Sequence, residues 1–314
     1  MPATGIATNR TNTYLPPDIA SEILQKTRDA SAIMRLATRT DLPGRGKAFP
    51  VITGDPEAQW VDETGLKPVS NPSLSSKIMT PYTLAVILPF SNQFRRDLAA
   101  LYRQCVARLP GALGYKFDRT VVGAVNAPGE NFDTLAAATA QSIVAGVGHT
   151  AYTGLVDAYT DIGDHGGFMN GIALSPAGMG IMLGTTDGVG KPLFSDVGSD
   201  MIVTPLGARV ERGRGVYKAG EAPASASDSG TPAIVGIAGD WTMAQWGMVA
   251  PGEEAGQVIE GVSISISDQA TLTIGTEKVN LWERNMFAVR AEIEVGFICD
   301  ASCFNLLTGA TPAA

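Results

Sequence analysis

One apolar stripe constrains this chain more than anything else in its sequence. Between Ser91 and Val125, apolar residues fall at Phe94, Leu98, Leu101, Tyr102, Cys105, Leu109, Leu113, Phe117, Val121 and Val125. Steps of three and four place them on one face of a helix. Arg95, Arg96, Arg103, Arg108, Lys116 and Arg119 mostly lie off that face. A helix over the whole stretch would run roughly 50 Å, longer than an ordinary domain helix. Ser91 or Asn92 can cap its start, because a side-chain oxygen there accepts from an otherwise unpaired amide. Pro110-Gly111 interrupts it. A mid-helix proline costs about 3 kcal/mol and kinks the rod. The stripe keeps its phase across the break, which favours one helix bent at Pro110 and Gly111 over two stacked segments.

The chain has 314 residues, 45% of them hydrophobic and 17% charged. That is an ordered globular composition, far from the disordered class. The longest apolar run, Leu84 to Leu88, is too short for a membrane span, and the N-terminus lacks a hydrophobic signal core. A cytoplasm is the expected place of synthesis, and no membrane contact is expected. Cys105, Cys299 and Cys303 fit a reducing compartment and buried apolar thiols; the CxxxC spacing has no histidine near it in sequence and makes a poor metal site. The net charge of −8 is unevenly spread: residues 1–125 hold 15 Lys/Arg and 10 Asp/Glu, against 8 and 21 in residues 126–314. A basic front half and an acidic body suggest charge-complementary contacts between copies of the chain. They argue against a dedicated nucleic-acid reader.

Taken in order, residues 1–17 show no periodicity and read as an extended arm. A short amphipathic helix is expected over Asp18–Met34 and a turn over Asp41–Gly46. Lys47–Thr53 and Lys77–Leu88 read as two long strands around a polar, Pro-rich tip, with Ala58–Glu63 between them. That makes a protruding two-stranded ribbon, which is only marginally stable alone and implies another surface to receive it. Further on, helices are expected over Phe132–Val144, Ala151–Ile162 and Pro176–Leu183. Strands are expected over Gly171–Ser175, Met201–Val210, Ala233–Ala238 and Val262–Ser267. Within Trp282–Ile298 a long strand is expected, since Val289, Ala291, Ile293, Val295 and Phe297 alternate with polar or small residues. Residues 212–232, rich in Gly, Ala and Ser, read as a mobile loop.

Catalytic signatures are few. There are two histidines, His149 and His165, with neither an HExxH nor a GxSxG pattern. Gly184–Pro192 fails the phosphate-loop spacing, since Thr185 holds a required glycine position and Pro192 replaces the magnesium-binding hydroxyl. Asp161, Asp164 and His165 read as a solvated turn. Trp60, Trp241, Trp246 and Trp282 lack basic neighbours and read as packing anchors rather than base-stacking platforms. No catalytic, metal-ligating or cofactor-binding residue is assigned, and no cofactor is expected.

The order of elements, and particular residues within it, resembles the HK97-like major capsid proteins of tailed double-stranded DNA phages. AQWVDET (Ala58–Thr64) resembles the ribbon called the E-loop, and Lys77–Ser91 its return strand and lead into the spine helix. GIALSPAG (Gly171–Gly178), DGVGKPLF (Asp187–Phe194) and PLGARV (Pro205–Val210) resemble the axial domain. GDWTMAQW (Gly239–Trp246) and Asn285–Gly309 resemble the closing segment. The resemblance implies an α+β fold. Its parts would be an N-terminal arm with a short helix (1–46), an E-loop ribbon (47–90) and the spine helix of a peripheral domain (91–130). A mainly axial α/β domain (131–278) and a closing strand with C-terminal tail (279–314) complete it.

It also implies function. Copies would form hexamers and pentamers of an icosahedral head enclosing double-stranded DNA without sequence-specific contact. Scaffolding, portal and decoration proteins are further expected partners, with the virion the destination and the host bacterial cytoplasm the place of assembly. Subunit contacts fall to Trp60, Val61, Asp62, Glu63, Lys67 and Lys77 of the ribbon and to Arg10, Tyr14, Lys26, Arg28 and Arg35 of the arm. Three features depart from the family pattern. Met1 already begins the arm, so a scaffold is expected to be separate or absent; Pro110 breaks the spine helix; residues 212–232 and Pro251–Gly256 look like added loops. Nothing marks a catalytic glutamate or acceptor asparagine for lysine crosslinking. Two rivals stand beside this reading: an encapsulin-type nanocompartment shell, and a soluble enzyme with an unfamiliar site.

Overall fold

The structure, a computed structural model, describes residues 25–52, 60–61, 67, 69, 74–97, 104–144, 151–186, 189, 193–194, 206–223, 229–249, 252–254, 257–259, 262–274 and 276–311. Residues 25–30 are helical and lead to a second short helix, α1 (Ala32–Leu36). The expected single helix over Asp18–Met34 is therefore broken at Ser31. Its backbone is extended (φ −98°, ψ 121°) and its hydroxyl accepts from the Met34 amide, restarting the helix. Strand β1 (Thr38–Leu42) follows, then β2 (Lys47–Ile52) and β3 (Leu74–Met79), which pair antiparallel from Lys47↔Met79 to Ile52↔Leu74. This is the expected ribbon, with one correction. Lys77–Leu88 is two strands, since β3 ends at Met79 and β4 (Tyr82–Ser91) joins a different sheet. Pro81 lies between them, and proline has no amide to continue a ladder.

The stripe begins as expected: Ser91 Oγ accepts from the Phe94 amide at the start of α2 (Asn92–Asp97). Residues 98–103 of the stripe lie outside the described residues; residues 104–107 are helical, and α3 (Leu109–Val121) follows. Between them Arg108 keeps helical angles (φ −88°, ψ −13°), but its amide bonds three residues back, to the Cys105 carbonyl at 3.2 Å. The irregularity thus precedes Pro110, which sits in the first turn of α3, where a missing amide costs least.

Strand β5 (Thr139–Ser142) occupies the stretch expected as an alanine-rich helix over Phe132–Val144. Alanine's helix propensity is a weak prior, and here a place in a sheet overrides it. Then come α4 (Ala151–Asp164), β6 (Gly171–Leu174), α5 (Pro176–Gly184), β7 (Arg209–Arg212) and β8 (Ile234–Gly239). Strands β9 (Ala244–Val249), β10 (Gly252–Glu254), β11 (Gln257–Ile259), β12 (Val262–Ser267), β13 (Thr271–Ile274) and β14 (Glu277–Asn280) lead to the 14-residue β15 (Met286–Cys299) and to β16 (Phe304–Thr308). Of the expected Met201–Val210 strand, residues 201–205 lie outside the described set. Residues 212–232 are pinned rather than mobile at both ends. Val216 is fully buried, and bridges join Lys218 to Ile234 and Glu221 to Thr231.

Two five-stranded sheets organise the chain. In the first, β15 pairs antiparallel with β4 over Met286–Val295 on one edge; β12 and β9 follow each other along its other edge, and β1 lies parallel beyond β9. The stripe of α3 packs on this sheet. Leu113, Phe117 and Val121 are buried there, and Phe117, Phe132 and Phe297 meet with ring centroids 6.0–6.2 Å apart. The second sheet runs β5-β16-β8-β6-β7, with Leu155 and Ile162 of α4 and Met182 of α5 in its core. Besides the passage from β4 through α3 to β5, the chain crosses between the sheets by two similar turns. Asp240 caps Trp241–Met243 between β8 and β9, and Asp300 caps Ala301–Cys303 between β15 and β16. The turns bond each other, Asp240 N to Cys303 O at 3.0 Å and Asp300 N to Met243 O at 3.2 Å.

Candidate functional site

Among the described residues no group of three or more His, Cys, Asp or Glu is placed to hold a metal ion. All three cysteines are free, and burial pushes the Cys299 and Cys303 thiols up, away from the reactive thiolate. Asp161 and Asp164, expected in a solvated turn, are in the last turn of α4, and His165 Nδ1 lies 2.8 Å from the Asp161 carbonyl. His149 lies outside the described residues. Among the described residues no helix is long and apolar enough to cross a membrane.

What stands out is the ribbon and its root. The ribbon leaves the body where Lys77 is held by two groups: its ammonium donates to Asp133 Oδ2 at 2.6 Å and to the Cys299 carbonyl at 2.7 Å. Asp133 also accepts from the Cys299 amide at 3.0 Å, so one carboxylate ties β3 to the end of β15. Lys77, assigned from sequence to subunit contact, is thus occupied within its own chain. Side-chain exposures of 46% and 26% make this a half-wet ion pair, worth about 1 kcal/mol. Lys77→Met should lower the melting temperature of unassembled subunits by only about 2–4 °C in calorimetry.

Beyond the root the ribbon presents apolar groups to solvent. Trp60 is fully exposed and Val69 is 85% exposed; Val61 and Lys67 are exposed beside them. Asp62 and Glu63 lie outside the described residues.

In the arm, Arg10 and Tyr14 also lie outside the described residues, and Lys26 and Arg28 are exposed. Arg35 is engaged inside the chain, with Nε 2.7 Å from Glu211 and Nη2 2.7 Å from the Arg212 carbonyl. Three segments distant in sequence meet at Asp118 of α3. Ser31 Oγ donates to its Oδ1 at 2.5 Å and the Ala32 amide to its Oδ2 at 3.1 Å, so a spine carboxylate caps the arm helix. Close approach needs glycine on both sides: a Cβ at Gly114 would come 2.7 Å from the Thr27 carbonyl, and one at Gly215 would come 2.5 Å from Asp118 Cβ. Asp118 is wholly buried, and burial, opposed by these hydrogen bonds and by Arg35, pushes its pKa up to about 7. The one sequence signal for this residue was its place one turn from both Gly114 and Val121, on the apolar side of the helix.

A second surface lies on the same helix. A cleft, partly open to solvent, runs between α3 and β4. Phe117, Phe132, Val295, Tyr82 and Leu84 line it, and Lys116 is the charged residue at its wall. The sequence reading missed this cleft, since its walls come from three segments that meet only in the fold.

The chain is similar to known proteins over nearly all of this architecture. The model of the phage capsid family matches residues 12–235. Over 313 residues the chain is 28% identical to the probable major capsid protein gp17 of Mycobacterium phage L5, across 94% of this chain and 89% of that one. A solved structure from Mycobacterium phage Adephagia superposes with a TM-score of 0.69 at 19% identity, across 91% of this chain and 92% of the other. The capsid of an empty GTA particle, computed with C5 symmetry, superposes at 0.57 and 14% identity, across 90% of each chain.

Proposed function

Because the chain belongs to the phage capsid family, we propose that it is a major capsid protein whose copies close into the shell of a phage head. It is a structural protein with the α+β, HK97-like fold, and not an enzyme. The observation that carries the assembly reading is the ribbon. Beyond the paired residues Lys47–Ile52 and Leu74–Met79 the chain exposes Trp60 and Val69, and an isolated hairpin is marginal in water without a surface to lie on. Repetition of that contact around closed rings supplies the shell's cohesion. Hexamers and pentamers tile an icosahedron around double-stranded DNA, which the chain contacts without reading sequence. Portal, scaffolding or decoration proteins complete the particle in the host cytoplasm. Trp60, Val61, Asp62, Glu63 and Lys67 of the ribbon, with Arg10, Tyr14, Lys26 and Arg28 of the arm, face neighbouring copies, whereas Pro110 and Gly111, in the first turn of α3, follow the irregularity at Arg108 rather than make it. Arg35 and Lys77 act one step back, by fixing the angles at which arm and ribbon leave the body.

Light scattering and electron microscopy of the purified protein test this. Closed particles, many times the size of a small oligomer, are expected. A chain that stays a small soluble oligomer across salt and concentration would rule the reading out.

A further inference from the structure

Resting on that shell reading, we propose that Arg108, Lys116, Arg119 and Arg214 together form the surface that holds the phosphate backbone of the enclosed double-stranded DNA. On α3 the buried residues Leu113, Phe117 and Val121 point to the sheet, and the helical period puts Arg108, Ala112, Tyr115 and Arg119 on the opposite side. Lys116 is exposed beside that row. Arg214 joins it from another part of the chain. It is exposed on the turn Gly213–Val216, whose Val216 is buried. That turn lies close on α3, since a Cβ at Gly215 would come 2.8 Å from the Tyr115 carbonyl. The Arg119 guanidinium lies over the Tyr115 ring, 5.8 Å from its centroid, which holds it along the row.

What marks this face is that its cations have no anion. Among the described residues none of these four is in an ion pair, whereas Arg35, Lys77, Arg209, Arg284 and Arg290 are each matched by a carboxylate of their own chain. Asp118 is the one acid of α3, and it is buried against Ser31 and Ala32. An unmatched basic row in a chain of net charge −8 calls for an anion from outside the chain. Shape selects which one. From Arg108 to Arg119 the row runs straight for roughly 16 Å, and duplex DNA presents a negative charge about every 1.7 Å of its axis. Gly111 and Ala112 in the middle of the row are small, with open space above Gly111, so a rod can lie flat along the helix. The contact is blind to sequence, because neither α3 nor the turn carries an Asn or Gln to read a base edge. On the far side of the same sheet Arg290 is paired with Glu292, and Glu294 is exposed beside them. The α3 row therefore faces the lumen, and the β15 row faces out.

The test follows a fluorescein-labelled duplex of about 30 base pairs by anisotropy, with unassembled subunits and with closed particles, between about 50 and 200 mM salt. With subunits, four phosphate contacts predict an affinity that falls about 150-fold over that range, since each contributes roughly 0.9 to the logarithmic slope. Arg108→Gln combined with Lys116→Gln, both at exposed positions, should reduce the fall to about 12-fold, and Arg290→Gln on the opposite face should leave it unchanged. Closed particles should leave added duplex unbound, because the row is enclosed. Should the double variant misfold, Lys116 of the wild-type chain decides: its labelling by an amine-reactive reagent should fall several-fold when duplex is bound. Subunits that do not bind duplex at low salt, a salt slope unaltered by the double variant, or duplex bound to the outside of closed particles would overturn the assignment. So would a double variant that binds duplex as wild type but no longer closes, which would assign the row to a neighbouring copy. Wild-type protein that never forms particles refutes the shell reading itself, whereas particles that form while the slope stays unaltered refute only this surface.

Discussion

Replacing residues 53–73 with an Asn-Gly turn should leave a folded subunit that no longer closes into shells. Ile52 and Leu74 are already register partners, and Asn-Gly is the two-residue loop that matches the twist of paired strands, so the shortened hairpin closes without strain. Among the removed residues, the described ones, Trp60, Val61, Lys67 and Val69, are all exposed. The melting temperature of unassembled subunits should therefore move by less than about 2 °C. Assembly should fail, because burying an indole of about 200 Å² contributes roughly 5 kcal/mol per contact, or more than about a thousandfold in each association constant. Size-exclusion chromatography and electron microscopy read the result. Normal particles from this variant would show that the ribbon is decoration.

The second large effect concerns Asp118, and its direction is opposite to that of most native carboxylates. A paired surface aspartate stabilises a protein at neutral pH and loses that contribution in acid. Asp118 is held up at about 7 by burial, from an ordinary value of 3.8. Between those two values the folded chain keeps a proton that the unfolded chain has released. Its contribution is fully present below about pH 4 and is lost as pH rises through about 7. Subunit stability measured by urea unfolding should carry a falling component between about pH 4 and 7. Asp118→Asn, which keeps the Ser31 bond and cannot ionise, should lack that component, and the difference between the two profiles isolates it from all other carboxylates. Asp118→Ala orphans the Ser31 hydroxyl and the Ala32 amide in a dry site. It should cost about 3 kcal/mol at pH 5, with the arm helix the first element to lose hydrogen-exchange protection. Parallel profiles for wild type and Asp118→Asn would show that the carboxyl is already ionised at pH 5.

These two sites differ in how far the sequence announced them. The ribbon was legible because its signal is local: two β-rich runs around a polar tip, and a tryptophan between carboxylates. The α3 stripe was legible for the same reason, since a 3.6-residue period repeats many times within one segment. Asp118 was not, because its partners Ser31 and Gly215 lie far away in sequence and only the fold brings them to one carboxylate. Local propensity also misled where tertiary pairing overrode it. Ala136–Ala138 favour a helix, but Leu135 N bonds the Val121 carbonyl and Thr139 pairs with Asn305 across a parallel ladder, and these claims on the backbone prevail. At Thr80-Pro81 the composition stays β-rich through a change of sheet, and the proline was the one mark of it.

The paired turns at Asp240 and Asp300 give the two sheets a particular mechanical relation. Pairing continues almost unbroken from Phe304↔Gly239 through the turns to Cys299↔Ala244, so the sheets are joined by a two-ply strap of opposed strands. A single covalent linker would swivel freely. Two antiparallel plies bonded to each other resist shear and torsion and yield in one direction, across their own thickness. Under tension along β15 the load passes from one sheet to the other through both plies at once, and the Asp240 and Asp300 carboxylates hold the fold line in place. The molecule is in that sense a leaf folded once, its halves held by two opposed plies and by a core that packs residues of both sheets together.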